Sequence, residues 1–368
     1  MIDIESRAAL KYKKMLIVIG STVALIASLM AFSKPRNYWS TLARGILMLA
    51  KYNLEGTKEV FFDIIHAKYN KTDLPKKSDC VAIVTGGSRG IGVEVVKMLL
   101  RCDMEVIIAC RRKEAGEKTI DKIRASGITE GKAKVYVLDN SSLDSVRKFA
   151  NDIKKDYDKV HVLINNAGVM FTPYKETKDG FEQQWGVNYL SHFLLTSLLM
   201  PLLQNAGTEE NFARVINISS CAHHLGTINF DDINYNKRKP FLTYCAYGQS
   251  KLAQVIFTET LRHIINKNEL FVRTYAVHPG MVNTELFENS FIHYFGFLVK
   301  ILFKTPEQGA MTIVYAAVNK AIEDTDGLYY SNCRKATPNQ LAFDKPTQER
   351  LFSLSLEQTK LESFLQYC

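Results

Sequence analysis

The chain has 368 residues, of which 46% are hydrophobic and 23% are charged, a composition that excludes a disordered protein. Its length allows one large α/β domain with appendages or two small domains. The seven cysteines form no C-x-x-C pair and the eight histidines form no cluster with ligand spacing, so the sequence predicts neither a disulfide framework nor a metal site.

The net charge of +9 is concentrated near the N-terminus. Residues 1–78 contain 13 Lys and Arg against 6 Asp and Glu, which gives +7, whereas the other 290 residues contain 34 against 32, which gives +2. A basic region beside an apolar run is typical of contact with an anionic membrane surface. We therefore expect a membrane partner and no nucleic acid.

The first predicted element is an N-terminal membrane anchor, residues 1–34. Met15–Ser33 contains no charged residue, and its 19 residues would span roughly 28 Å as a helix, close to the thickness of a hydrocarbon core. The alternative is a cleaved signal peptide, which also combines basic residues with an apolar run. Basic residues on both sides leave the orientation of the anchor undecided.

The next segment, residues 35–78, is predicted to link the anchor to the rest of the chain. Trp39, Leu42, Ile46 and Leu49 recur with helical spacing, which predicts an amphipathic helix over residues 38–50. Two interpretations stay open: the helix packs on a domain, or it lies in a membrane interface.

From residue 79 onward, short runs rich in apolar residues alternate with helix-length segments. The six strand candidates are 80–85, 105–110, 134–138, 160–165, 214–219 and 273–278. Nearly continuous apolar strands separated by helices predict an α/β fold, a single doubly wound parallel sheet of the Rossmann type. We assign residues 79–335 to this domain and residues 336–368 to a C-terminal extension.

A glycine-rich segment, TGGSRGIG at 85–92, follows the first strand and precedes the first helix of the domain. Such glycines allow a tight turn and a close approach to a pyrophosphate, which the N–H groups of the helix N-terminus then bind. A purely structural turn is the alternative. The predicted cofactor contacts in this segment are Gly86, Ser88, Arg89, Gly90, Ile91 and Gly92.

The second strand ends at Cys110 and is followed by Arg111 and Arg112, with no acidic residue that could bind a ribose hydroxyl. Two guanidinium groups favour a 2′-phosphate, so NADP(H) is the predicted cofactor and NAD(H) the alternative. If both arginines are merely solvated loop residues, this preference disappears. Asp139 is predicted to contact the adenine, and Asn166, Ala167 and Gly168 to pack on the cofactor where the fourth strand ends.

Tyr-x-x-x-Lys, a pattern that can carry proton transfer, occurs three times, at Tyr174, Tyr235 and Tyr247. The first lies in a polar loop, and the second lies in a segment that is not expected to be helical. Tyr247 alone begins a long helical run, which places Lys251 one turn away on the same face. Tyr247 also follows Ser220, at the end of the fifth strand.

Taken in order, the motifs TGGSRGIG, NNAG (165–168), WGVNYLSHF around Asn188, INISS ending at Ser220, YGQSK (247–251) and HPGMVNT (278–284) resemble those of classical short-chain dehydrogenases/reductases. The resemblance implies an enzyme in which Tyr247 is the general acid/base, Lys251 favours its phenolate and binds the nicotinamide ribose, and Ser220 binds the substrate oxygen. It further implies that Asn188 holds a water for proton relay. Pro279, Gly280 and Thr284 are implied to contact the nicotinamide half of the cofactor.

Within that family the chain is similar to the membrane-anchored retinol dehydrogenase-like branch, and the apolar segment 287–303 is in the position of a substrate lid. The resemblance implies a lipid alcohol or aldehyde as substrate, foremost a long-chain polyisoprenoid, with a retinoid or steroid as the alternative. It also implies an endoplasmic reticulum membrane location with a cytosolic catalytic domain, and leaves open lipid droplets and a homodimer. A non-catalytic, membrane-tethered scaffold that binds a dinucleotide is the hypothesis from another class.

Overall fold

The computed structural model of the protein describes residues 36–237, 240–288, 300–323 and 328–368. The predicted anchor, residues 1–34, and the middle of the predicted lid lie outside these ranges. In the part of the chain that is described, one helix, Gln183–Ala206, is long and apolar enough to span a membrane. Of its most apolar stretch, 94% is buried inside the protein. That helix is therefore explained by the protein core.

The predicted parallel sheet is confirmed. Its strands are β1 Val81–Thr85, β2 Glu105–Cys110, β3 Lys132–Val137, β4 Val162–Asn165, β5 Ala213–Ile218, β6 Val272–His278, β7 Tyr329–Ser331 and β8 Arg334–Ala336. They lie in the order β3-β2-β1-β4-β5-β6-β7-β8, all parallel except the last pair. The six predicted strands begin and end within two residues of β1 to β6.

Helices cover both faces of the sheet, as parallel strands with apolar residues on both sides require. They are α1 Arg36–His66, α2 Ile91–Arg101, α3 Lys113–Ala125, α4 Leu143–Asp156, α5 Gln183–Ala206, α6 Thr243–Lys267, α7 Pro306–Val318 and α8 Lys345–Thr359. One apolar core contains side chains of α4, α5, α6 and α8, and a second contains side chains of α2 and α7. Between them, the two cores bury both faces of the central strands.

The residues assigned to a C-terminal extension are part of the domain. The boundary drawn after residue 335 falls inside β8, and Leu351, Leu361 and Phe364 are buried in the core that contains α5. The Tyr189 hydroxyl on α5 also shares a hydrogen bond of 2.7 Å with Ser355 on α8. Helix α8 therefore closes the outer side of α5, and the domain extends to the end of the chain.

The segment predicted as a linker forms α1, a single helix of 31 residues that is much longer than the predicted 38–50. It packs across the carboxyl end of the sheet, where Asp63 is buried and the Tyr52 hydroxyl donates to the carbonyl of Tyr244 at 3.1 Å. Much of its apolar surface, including Ile46 and Leu49 of the predicted stripe, faces outward. Polar side chains thus make part of the contact between α1 and the domain.

Candidate active site

A cavity of about 320 Å³ opens at the carboxyl end of the sheet, where the chain leaves β1 and β4 in opposite directions. Parallel α/β sheets bind ligands at this kind of switch point. Of the residues predicted to bind the cofactor, those lining the cavity are Gly86, Ser88, Arg89, Gly90, Ile91, Gly92, Arg111, Arg112, Asp139, Asn166, Ala167, Gly168, Lys251, Pro279 and Thr284. The structure therefore brings together segments that are up to 198 residues apart, from Gly86 to Thr284.

The glycine-rich turn adopts a conformation that side chains would obstruct. Gly86 and Gly90 have φ values of +67° and +55°, in the left-handed region. A Cβ on Gly92 would lie 2.3 Å from the carbonyl oxygen of Gly86, a distance at which the turn could not close. The turn leads directly into α2, whose first residues, Ile91 and Gly92, line the cavity. The unpaired N–H groups of a helix N-terminus are suited to bind an anion.

A buried hydroxyl ties the ends of β1 and β4 together. Thr85 Oγ1 accepts hydrogen bonds from the backbone N–H of Asn166 at 2.8 Å and of Ala167 at 2.9 Å. The Asn166 amide also donates to the Thr85 carbonyl at 2.8 Å. These bonds hold the Asn166–Gly168 segment against the glycine-rich turn, where it forms the floor of the cavity.

The three arginines predicted to select the cofactor are solvent-exposed at one end of the cavity. Arg89 lies 3.9 Å from the carboxylate of Glu285, a contact between exposed groups. Asp139, predicted to contact the adenine, accepts from the backbone N–H and hydroxyl of Ser141 at 3.0 and 2.7 Å. The guanidinium groups of Arg111 and Arg112 are therefore accessible to a ligand phosphate, while the Asp139 carboxylate stabilises the turn at Ser141.

Lys251 lines the cavity. Tyr247 and Ser220 are not among the lining residues and lie next to Lys251. Although Tyr247 is 27 residues after Ser220, the two side chains are hydrogen-bonded, and the Tyr247 side chain is buried. Lys251, one turn further along α6, donates to the carbonyl of Ile218 at 2.8 Å and has its Nζ 5.8 Å from the centre of the Tyr247 ring. The three predicted catalytic residues thus form one cluster, in which Lys251 lies one helical turn after Tyr247.

Burial dominates the electrostatics of this cluster. It raises the pKa of Tyr247 well above the ordinary value, while the hydrogen bond with Ser220 opposes the rise and the Cys221 thiol adds to it. Burial also lowers the pKa of Lys251 to about 8. Because its pKa is raised, the Tyr247 phenol is protonated at neutral pH. That Lys251 favours the phenolate, as the family resemblance implies, stays a prediction.

Asn188 is bound more firmly than its predicted role as a water holder suggests. It lies in a π-helical turn, Gly186–Leu190, within α5. Its side chain accepts from the N–H of Val169 at 2.8 Å and donates to the carbonyl of Val169 at 2.9 Å and to the Ser250 hydroxyl at 3.0 Å. The amide therefore fastens the loop after β4 to α6; its part in proton relay stays a prediction.

Two buried histidines hold the site together, and the sequence gives no sign of either role. His192 lies within hydrogen-bonding distance of Thr85 Oγ1 (3.1 Å) and of the Asn188 carbonyl (3.1 Å), and burial lowers its pKa to about 3. His223 accepts from the backbone N–H of Asn339 at 3.1 Å and so ties the loop after Ser220 to the C-terminal segment. Both rings are neutral at physiological pH, since burial disfavours their charged forms.

An apolar cluster lies on the open side of the catalytic tyrosine candidate. Met170, Ala222 and Tyr247 form its buried part, and Phe171 and Tyr52 pack against them. Further out, Phe287 and Phe303 meet edge to face with ring centres 5.4 Å apart, which brings together the two described ends of the predicted lid. The surroundings of the tyrosine thus suit an apolar ligand, and α1 supplies part of them.

Comparison with known proteins matches residues 80–294 to the family model described as short chain dehydrogenase. Polyprenol dehydrogenase of Danio rerio is 38% identical over 84% of this chain and 96% of its own length. Retinol dehydrogenase 12 of Mus musculus is 41% identical over 75% of this chain and 85% of its own length. Among solved structures, an uncharacterized protein from Mycobacterium Paratuberculosis superposes with a TM-score of 0.62 at 31% identity, over 79% of this chain and 97% of that one.

Proposed function

This chain belongs to the short-chain dehydrogenase family and is an oxidoreductase acting on CH–OH groups; on that premise we propose that it interconverts a long-chain polyisoprenoid alcohol and its carbonyl form with NADP(H). The observation that carries the proposal is the cluster of buried Tyr247 and Lys251 with partly buried Ser220, beside the cavity that Lys251 lines. Related enzymes named as polyprenol and retinol dehydrogenases support a lipid alcohol as the substrate class.

The cavity fits a nicotinamide dinucleotide. Its glycine-rich turn leaves no room for a Cβ at Gly92, and the N-terminus of α2 offers N–H groups to a pyrophosphate. At the adenosine end, exposed Arg111 and Arg112 supply positive charge suited to a 2′-phosphate, which favours NADP(H) over NAD(H). When bound, the cofactor would supply hydride chemistry at the nicotinamide ring.

The protein's own part is to bind and protonate the substrate oxygen. Ser220 Oγ would donate a hydrogen bond to that oxygen and hold it beside the Tyr247 hydroxyl. Because the pKa of Tyr247 is raised by burial, its phenol is protonated and serves as the proton donor when a carbonyl is reduced. In the opposite direction the phenol would first pass its own proton to the relay behind it, and the same oxygen would then take the proton of the alcohol.

Lys251 and Asn188 would act behind the tyrosine. With a pKa lowered to about 8, Lys251 exchanges protons near physiological pH, so it is suited to resupply the phenol. Asn188 lies on the other side of Gly168: a Cβ there would be 3.3 Å from Asn188 Oδ1 and 3.7 Å from Lys251 Nζ. The missing side chain at Gly168 leaves room for the proposed relay water.

The apolar surroundings of Tyr247 favour a lipid substrate, and the charge-free run at Met15–Ser33 favours a membrane location. We assign the protein to the endoplasmic reticulum membrane with a cytosolic catalytic domain, with lipid droplets as the alternative. A retinoid or steroid is the alternative substrate, because these alcohols are also apolar and retinol dehydrogenase 12 is an equally similar relative.

Replacing Tyr247 with Phe should lower kcat by roughly 10²- to 10⁴-fold, because the proton donor is lost while the ring remains. The dissociation constant of NADPH should change little. Tyr174→Phe is the matched control, since Tyr174 also precedes a lysine by four residues but is exposed on a loop. Turnover of the Tyr247 variant at the wild-type rate would reject its catalytic role.

Replacing Arg111 with Ala should weaken NADPH about tenfold or more and NADH much less, because only NADPH has the 2′-phosphate that the guanidinium group would bind. Dissociation constants from titration of each nucleotide measure this difference. Lys113→Ala is the control, because Lys113 is a nearby exposed cation that does not line the cavity. An equal loss of affinity for the two nucleotides would show that Arg111 does not bind the 2′-phosphate.

The substrate proposal is tested by kcat/KM for a polyprenol, retinol and a hydroxysteroid in detergent micelles, with NADP⁺ and with NAD⁺. We expect the polyprenol to give the highest value, since its long chain can extend along the apolar cluster. A higher value for retinol or the steroid would select the alternative substrate. No turnover of any of the three, with intact nucleotide binding, would favour the scaffold hypothesis.

A further inference from the structure

Helix α1 has its polarity reversed relative to an ordinary surface helix. On the side that faces the domain, Asp63 is 5% exposed, and Glu59 and Tyr52 are partly buried. The exposed large apolar side chains of the helix are Ile46, Leu47, Leu49, Leu54, Phe61, Phe62, Ile64 and Ile65. Single exposed apolar residues are common on proteins, but eight on one helix are a patch that needs a partner.

The exposed side chains form a continuous stripe. Leu47, Leu54 and Phe61 recur every seven residues and so lie on one side of the helix, with exposures of 56%, 64% and 65%. Exposed Lys51 and Lys58 lie along one edge of this stripe. The helix has 31 residues, so the stripe can extend over much of a length of about 46 Å.

A second exposed apolar segment lies at the end of the predicted lid, shortly before a residue that contacts α1. Ile301 is 63% exposed and Leu302 is 42% exposed. They lie three and two residues before Lys304, whose ammonium group lies 3.0 Å from the carboxylate of Asp63 on α1. The base of the predicted lid therefore adds exposed apolar side chains near a residue that contacts α1.

We propose that α1 lies in the plane of a lipid bilayer, with the stripe in the acyl boundary and Lys51 and Lys58 at the headgroups, so that the mouth of the active site faces the membrane. A helix with an apolar face and flanking lysines has the features of an interfacial helix. A bilayer is favoured over a second copy of the chain because only two residues separate the charge-free run Met15–Ser33 from α1, which begins at Arg36. The basic excess of this region would also attract anionic lipids.

Helix orientation can be tested by tryptophan fluorescence of the full chain reconstituted in vesicles of phosphatidylcholine and phosphatidylserine with brominated acyl chains. Phe61→Trp places a reporter on the stripe, 25 residues or roughly 38 Å along the helix from Arg36, too far to be quenched merely because the N-terminus is anchored. Phe271→Trp is the control. Phe271 is 43% exposed, but it precedes β6 and so lies at the amino end of this strand, whereas α1 packs across the carboxyl end of the sheet. The unsubstituted protein gives the background of Trp39 and Trp185.

We expect the added emission of Phe61→Trp to fall by about half or more, since interfacial helices bury their apolar side roughly 5–10 Å deep. The emission of Phe271→Trp should not change. Protein that stays in solution, or unquenched emission from Phe61→Trp in vesicle-bound protein, would overturn the proposal. If Phe61→Glu also converts a dimer into a monomer, the stripe is an interface between copies. None of these outcomes depends on which substrate the enzyme uses.

A different observation concerns the inner side of α1, where buried polar groups bind the turn after β6. Asp63 accepts from the N–H of Met281 at 2.8 Å and from the Asn332 amide at 2.9 Å. Lys304 donates to Asn332 Oδ1 at 2.8 Å and to the Pro279 carbonyl at 3.4 Å. The ion pair therefore holds both sides of the turn, one residue of which, Pro279, lines the cofactor cavity.

The turn is shaped to admit this pair. Gly280 has a φ of +91°, and a Cβ there would lie 2.6 Å from Lys304 Nζ and 2.7 Å from Asp63 Oδ2. We infer that Asp63 and Lys304 are positioning residues: they act on the cofactor through Pro279 and Gly280 and do not touch it. This inference rests on the proposed cofactor site, yet it concerns residues that neither the glycine-rich turn nor the catalytic cluster contains.

The test compares Asp63→Asn and Lys304→Gln with Glu323→Gln. Glu323 forms a similarly shielded ion pair with Arg214, at the start of β5 and away from the cavity. Each protein is measured for its NADPH dissociation constant, for kcat at saturating NADPH and for its melting temperature. All three variants should melt lower than the wild type, because each leaves a buried charge without its partner.

Only Asp63→Asn and Lys304→Gln should raise the NADPH dissociation constant, by roughly tenfold or more, because displacing a positioning segment spoils the fit of the ligand. Should both bind NADPH as tightly as Glu323→Gln, the pair has a structural role alone and the inference fails. If one variant does not fold, the other decides. A wild-type protein that binds no NADPH would instead reject the proposed cofactor.

Discussion

The cavity depends on one buried hydroxyl, that of Thr85. Strands β1 and β4 are neighbours in the sheet, but their chains continue to opposite sides, and without a cross-link their ends would be free to separate. Thr85 Oγ1 accepts from two successive N–H groups, those of Asn166 and Ala167, and lies 3.1 Å from the His192 ring. A fully buried hydroxyl left without partners would be costly, so the β1 end, the β4 end and α5 are fixed relative to one another. The floor of the cofactor cavity and the helix that carries Asn188 therefore share a single anchor point.

Burial then determines how the catalytic cluster works. The same exclusion of water that strengthens hydrogen bonds disfavours charge, so the Tyr247 phenol stays protonated and the pKa of Lys251 falls to about 8. For Lys251 the folded-state pKa lies below the ordinary value, so the unfolded chain binds its proton more tightly than the folded one. This penalty is present below pH 8 and decreases as the pH rises further. A proton on Lys251 is thus held loosely at neutral pH, which is the property a proton relay needs and a purely structural lysine would not.

The sequence predicted the parts of the protein that rest on local patterns. Strands β1 to β6 are continuous apolar runs, and the helical context of Tyr247 distinguished it from two similar motifs. Strands β7 and β8 were not predicted, because each has only three residues. The turn between them, Asn332-Cys333, has positive φ values at both positions but contains no glycine that would indicate a turn in the sequence. The roles of His192, His223 and Asp63 could not be predicted, since each bonds to residues far away in the sequence. The C-terminal residues were set apart as an extension because burial against α5 leaves no signature in composition.

Reversed polarity explains why α1 is joined to the domain in this way. A helix that presents many of its apolar side chains outward has less apolar area left for contact with the domain, so directional bonds between buried polar groups contribute to its attachment. Glu59 and Asp63 face His278 and Lys304, and the last two flank the turn that begins at Pro279. Burial lowers the pKa of His278, whereas Cys221 and Glu59 raise it, and the net direction is a rise. Unlike apolar packing, such bonds allow little sliding of the helix along the domain surface.

A helix held by these bonds takes one fixed position over the catalytic cluster, with Tyr52 against Phe171 beside Tyr247. The proposed contact of the outer stripe with a bilayer would therefore be linked to the active site through the few charged contacts of Glu59 and Asp63.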